Sequence, residues 1–207
     1  IPVLEIEDIS KEIAPIYNEE LHLADTLVVH HDVETNGISY LSLIFDLSDV
    51  PEEQLPYVGI LQSVIGMIDT NNYAYGELFN EINMSTGGIG TSLEVYPNVT
   101  KVSEKEFKAA FEVKTKALYD KLPVAFQMIR ELLMESKFED EKRLEEILAL
   151  LKSRLQMKFQ SSGHMTAVLR AMSYRSPMSQ FKDLTNGIAF YEKVCQIADH
   201  FKEEKAA

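Results

Sequence analysis

Cysteine is nearly absent: Cys195 is the only one in 207 residues. An internal disulfide is thereby excluded, a thiolate metal cage has no ligands, and a reducing compartment is the expected setting, cytoplasm first and an organelle matrix second. No apolar run approaches the ~20 residues that cross a bilayer. The opening stretch IPVLEIEDISKE carries no basic flank ahead of an apolar core. Neither a membrane nor an export route is expected. Positive charge is scarce too, with 20 Lys and Arg against 33 Asp and Glu, so a net charge of −13 would repel phosphate backbones over most of the surface. Nucleic acid is therefore not an expected partner. The acidity serves solubility, and attraction of basic peptides is the sharper reading.

The signatures of several reaction centres are missing as well. A zinc hydrolase places histidines one helical turn apart beside a carboxylate, yet neither HExxH nor HxxEH occurs. Of the five histidines, His22, His30, His31, His164 and His200, the adjacent pair points to opposite faces of a strand. His30, Asp32 and Glu34 share a strand face and form the one residual metal or hydrolase candidate; an ordinary exposed strand face is the plainer reading. There is no G-x-S-x-G elbow. Cys195 sits among apolar helical neighbours as a core residue, and His200 follows at a five-residue step that does not face it. Thr86-Gly87-Gly88-Ile89-Gly90-Thr91 lacks the lysine of a phosphate loop and precedes a strand, so its glycines read as a helix stop. Asn98-Val99-Thr100 reads as a turn. The methionines at 128, 134, 157, 165, 172 and 178 read as gap-fillers between helices, with a promiscuous binding groove as the alternative.

What is present is an ordinary globular balance, 45% hydrophobic and 26% charged residues. Residues 1–20, with two prolines and no period, read as a connector from a preceding region. Because the chain opens on Ile1, it is expected to be a segment of something longer. The domain is expected over 21–207. Two β-rich runs flank Asn36-Gly37, which predicts a hairpin there. In the second run Leu41, Leu43, Phe45 and Leu47 share one face, and Tyr40, Ser42 and Asp46 the other. Ser48 or Asp49 should cap a helix running to about Thr70, and a second helix should span Tyr75 to Met84. TSLEVYPN and EFKAAFEVKTKA predict an antiparallel pair. Beyond Leu118 the period becomes helical. Pro123 opens one helix, and a longer one carries the stripe Leu144, Ile147, Leu148, Leu151, Leu155 and Phe159, with Glu139 placed to attract Arg143 and Glu141 to repel Glu145. The last helices break near Asn186-Gly187. This order predicts an α+β fold, an antiparallel-rich sheet covered by helices with a mostly helical C-terminal half.

The run from Leu41 through Gly88, strand, apolar helix, second helix and GG turn into a strand, resembles the insulinase or pitrilysin zinc metallopeptidases, most of all their presequence-protease branch. The IPVLEIEDISKEI connector and the late helices EDEKRLEEILALLKSRLQ and SYRSPMSQFKDLTNGIAFYE are similar to that branch as well. The resemblance implies an insulinase-family α/β domain in which the HxxEH position falls on Gly59-Ile60-Leu61-Gln62-Ser63. Both histidines and the glutamate are gone. Gln62 and Ser63 stand in the places of the general base and second ligand and can do neither job. No catalytic, cofactor-binding or metal residue is assigned to this chain, and neither Tyr174 nor Arg175 inherits the family's substrate-gripping pair. The resemblance further implies the non-catalytic third, peptidase-associated domain of a peptide-degrading enzyme. Zinc would sit in the catalytic domain of the parent, the partners would be other domains of that polypeptide together with peptide substrates, and this domain would help enclose the chamber. The alternative is a stand-alone peptide-binding or scaffold module that uses the strand after Gly88 as an edge.

Overall fold

The computed structural model describes residues 12, 17–101 and 106–201. Contacts divide the chain into two units, Ile1–Gly37 and Ile38–Ala207, each described by itself.

In the first unit β1 (Asn18–Leu23) and β2 (Thr26–His31) pair antiparallel, with Leu23 opposite Thr26. Most of the expected connector, residues 1–11 and 13–16, lies outside the described residues, and Asn18 to Glu20 already belong to β1. The hairpin expected around Asn36-Gly37 is not the one formed. Both residues do take positive φ, 51° and 81°, but the strand that follows pairs with a segment far along the chain. A turn dipeptide reverses the backbone locally, whereas pairing is chosen by the apolar face that must be buried. β2 is exposed at all but one position and offers no such face.

The second unit supplies it. β3 (Ile38–Asp46), β4 (Ile89–Pro97) and β5 (Phe107–Leu118) form a three-stranded antiparallel sheet in the order β3-β5-β4. Ala109, Phe111 and Val113 of β5 are buried on one face, against Leu55, Phe181 and Ile129 of the helices. Helices therefore cover that face. On the opposite face Tyr40 and Ile44 are exposed at 67% and 59%, so the alternation read in β3 and β5 holds.

A short 3-10 turn, Glu52–Gln54, leads into α1 (Leu55–Val64), with proline in its first turn. The expected caps do not act. Ser48 instead donates its amide (2.9 Å) and its hydroxyl to Asp46 and closes the turn after β3. Nor does α1 reach Thr70: Ile65 is extended and Gly66 has φ 81°, so the helix ends at Val64. α2 (Tyr75–Ser85) follows, and its end and the start of β4 flank the glycine turn as expected. Then come α3 (Leu122–Met134), α4 (Glu141–Ser161), α5 (Gly163–Ser173), α6 (Pro177–Asn186) and α7 (Ile188–Asp199), the last two separated at Gly187. Of the α4 stripe, Ile147, Leu148 and Leu155 are buried, each contributing about 1.5–3 kcal/mol of hydrophobic stabilisation. The Arg143 guanidinium is committed away from the expected Glu139: it donates to the Met67 carbonyl (2.9 Å) and to Glu146 (3.3 Å) and stacks on the Tyr75 ring at 4.2 Å. The methionines are mostly not gap-fillers. Met128 is 1% exposed, but Met134, Met157, Met165 and Met172 are 73%, 57%, 60% and 51% exposed.

The loop between α1 and α2 is held by a buried carboxylate. Glu131 of α3 accepts from the Thr70 hydroxyl (2.6 Å), the Asn72 amide nitrogen (2.9 Å) and the Asn72 backbone (3.3 Å). Burial pushes its pKa up, but these donors outweigh it and hold the carboxyl below the ordinary glutamate value of 4.5. A carboxyl depressed in the folded state stabilises above its unfolded pKa and loses that stabilisation as pH falls through the folded one. Glu131→Gln should therefore cost about 1–3 kcal/mol at neutral pH, and urea unfolding of the variant should show a shallower decline below pH 4.5 than the parent chain shows.

Candidate functional site

The Gly59–Ser63 turn of α1 is packed shut. At Gly59 an added Cβ would lie 2.7 Å from Phe190 Cε2 and 2.9 Å from the Thr185 carbonyl oxygen. Phe190 is 2% exposed and the second obstacle is backbone, so neither can give way cheaply. An imidazole at this position has no space. Ser63 turns its hydroxyl back onto the Gly59 carbonyl at 3.1 Å, the usual retreat of a serine inside a helix. Gln62 reaches sideways: its Nε2 donates to the Thr91 carbonyl of β4 (3.1 Å), and the Thr91 hydroxyl donates to the Gln62 carbonyl (3.4 Å). The polar pair on this otherwise apolar helix is thus structural, one member folded back and the other bridging helix to sheet.

That bridge also bears on the strand edge. The Asn98 amide donates to Glu106, its opposite number across β4 and β5 (2.9 Å). In an antiparallel ladder such pairs alternate, so even-numbered β4 residues bond β5 and odd-numbered ones face outward. Gln62 occupies the outward carbonyl of Thr91, and Pro97 has no N–H to offer. Between these two points Leu93 and Val95 alone present outward backbone groups. The edge expected to receive an added strand is largely closed.

The uncovered face of the sheet holds a second buried carboxylate. Glu112 of β5 is 3% exposed although it points away from the helices. It accepts from the Ser42 hydroxyl, from Tyr96 (3.0 Å) and from Lys114 (2.8 Å). Burial raises its pKa, and the three donors together pull it below the ordinary range; the same contact raises Lys114. Both oxygens are saturated, so the group serves as a strut across three strands and offers no lone pair to a substrate proton. Asp183 is a third, at 2% exposure: it pairs with Arg170 (2.5 Å) and accepts the Ile188 amide (2.9 Å), capping α7. A Cβ at Gly187 would strike Asp183, so the break between α6 and α7 requires glycine.

The remaining candidates disperse. His30 lies 3.7 Å from Glu19, while Asp32 and Glu34 fall beyond the end of β2, so the shared strand face is not formed. No group of three His, Cys, Asp or Glu able to hold a metal occurs among the described residues. Cys195 is half-buried on α7, and His200 is that helix's C-cap. In the glycine turn the amides are already used: Gly87 donates to the Lys116 carbonyl (2.7 Å) and Gly88 to the Thr86 hydroxyl (3.0 Å), which leaves no anion cradle. Asn98 accepts from the Thr100 amide at 3.1 Å and builds a turn. A cleft of about 310 Å³ lined by Leu47, Val50, Leu55, Phe107 and Phe181 is apolar, and its rim is tied by Gln180 donating to Glu52 at 2.6 Å. No described helix is long and apolar enough to cross a membrane.

A packed-shut motif position on this fold agrees with what the sequence matches. Residues 1–197 match the family of domains described as associated with the Peptidase M16 class, subfamily C. The chain belongs to that family. It is 34% identical over 205 residues to "Protein HypA" of Clostridium perfringens, covering 99% of this chain and 21% of that protein. It is 27% identical over 164 residues to "Presequence protease, mitochondrial" of Yarrowia lipolytica (79% and 16%). It is 25% identical over 193 residues to "Presequence protease 1, chloroplastic/mitochondrial" of Arabidopsis thaliana (93% and 18%). The chain thus spans about a fifth of the length of these relatives. The presequence-protease resemblance is borne out, and the chain is a peptidase-associated domain.

Rebuilding the motif tests the packing directly. The triple variant Gly59→His, Gln62→Glu, Ser63→His should lose several kcal/mol of stability by urea denaturation, as overpacking and a severed helix-to-sheet bridge predict. It should bind no stoichiometric zinc by elemental analysis.

Proposed function

We propose that this chain is a non-catalytic domain of a larger zinc metallopeptidase that degrades peptides, and that it helps to enclose the substrate chamber against the catalytic half. The observation that carries the reading is the obstruction at Gly59, in a chain of a peptidase-associated family, at the position where the resemblance puts the first zinc-binding histidine. With no lone pair or imidazole available on that turn, a zinc-bound water could be neither held nor deprotonated there. Zinc belongs to another domain of the parent, and this domain contributes wall and contact surface. The names of the presequence proteases point to presequence peptides as the substrate class. The excess of acid, −13 over the chain, would draw basic peptides toward such a chamber. A reducing compartment, cytoplasm or organelle matrix, fits the single half-buried cysteine.

A stand-alone strand-adding module finds less support, because Gln62 and Pro97 blunt the β4 edge. The purified chain should leave an unstructured basic peptide uncut, with or without added zinc, as read by mass spectrometry. The longer polypeptide should cut it and be stopped by a chelator. Chelator-sensitive cleavage by the chain alone would falsify the reading.

A further inference from the structure

α5 is held to the domain by one side and left bare on another. Thr166 is buried, and Arg170 pairs with the buried Asp183 of α6, so the helix cannot roll. On the outer side stand Met165, Val168 and Met172, exposed at 60%, 51% and 51% and spaced by three and four residues, which aligns them along one stripe. Ala167 and Ala171 beside them are exposed as well. In a chain with 33 acidic residues, none falls between Gln160 and Ser176. A solvent-facing helix in such a chain would ordinarily carry charge on its outer side. A contiguous uncharged stripe of this kind marks a contact surface, and the depletion of charge with enrichment of methionine is the composition of an interface core.

We propose that the Met165–Val168–Met172 stripe of α5 is the surface by which this domain packs permanently against another domain of its own polypeptide. The choice of occupant rests on chain length: relatives that match nearly all of this chain carry it as about a fifth of a longer polypeptide, so most of their mass lies outside it. A soluble, dissociating partner would favour a charged rim that this helix lacks. The proposal rests on the reading of the chain as one domain of a longer peptidase.

Peroxide footprinting tests it, because methionine oxidation follows exposure. Met165 and Met172 should oxidise readily in the isolated chain, and about tenfold more slowly in the longer polypeptide. Equal rates in the two would overturn the proposal. So would concentration-dependent protection in the isolated chain, which would identify the occupant as a second copy. Met165→Glu with Met172→Glu supplies the second arm. The isolated variant should melt within ~2 °C of the parent chain, as surface substitutions do, while the longer polypeptide carrying the same changes should become several-fold more sensitive to limited proteolysis. Unchanged sensitivity would count against the stripe. Cleavage of peptide by the chain alone would sink the peptidase-domain reading whatever the footprint shows, so the two failures are separable.

Discussion

The close approach between α1 and the α6–α7 pair governs much else in this molecule. Because Gly59 has no side chain, the helix can lie against the Thr185 carbonyl and the Phe190 ring. That contact fixes α1 over the sheet, which sets Gln62 within reach of β4. It also depends on the break at Gly187, where Asp183 caps α7 and presents Phe190 at the correct height. One constraint thus links a turn with no catalytic groups, a helix interruption and a strand edge. In physical terms the loss of metal chemistry is a gain in packing: the volume that an imidazole would need is filled by protein.

Three buried carboxylates, Glu112, Glu131 and Asp183, follow a common logic. Each would be costly to bury alone, and each is met by donors from other elements. Glu112 joins all three strands of the sheet through Ser42, Tyr96 and Lys114. Glu131 sets the course of the loop between α1 and α2. Asp183 ties α5 to α6 and starts α7. Buried acids in a peptidase-related fold invite a catalytic reading, but saturation by donors marks these as joints between elements, available to no substrate.

Much of the fold was legible in the sequence. The alternation in β3 and β5, the stripe on α4, Pro123 in the first turn of α3 and the break at Asn186-Gly187 are local patterns with local causes, and all appear as read. What was not legible was non-local. Asn36-Gly37 has the expected backbone without the expected hairpin, because β3's partner was decided by Phe111 and Val113 some seventy residues on. Arg143 ignored a helical neighbour for a carbonyl and a ring on other elements. The methionines looked like core from composition alone, and only fractional exposure separates Met128 from Met165 and Met172. For the candidate site, Gln62 and Ser63 were recognisable as unable to serve, while the obstruction at Gly59 could not be read, since it is made by residues more than a hundred positions away.

Gln62 carries a consequence of another kind. Open sheet edges are templates for unwanted pairing between chains, and proteins guard them with prolines, charges or side chains laid across them. At Thr91 a side-chain amide lies where a neighbouring molecule's backbone would dock, and Pro97 ends the same margin. The replacement that removed a proton acceptor therefore also shields the fold against aggregation, so a domain relieved of chemistry is at the same time better able to remain a separate, well-behaved body.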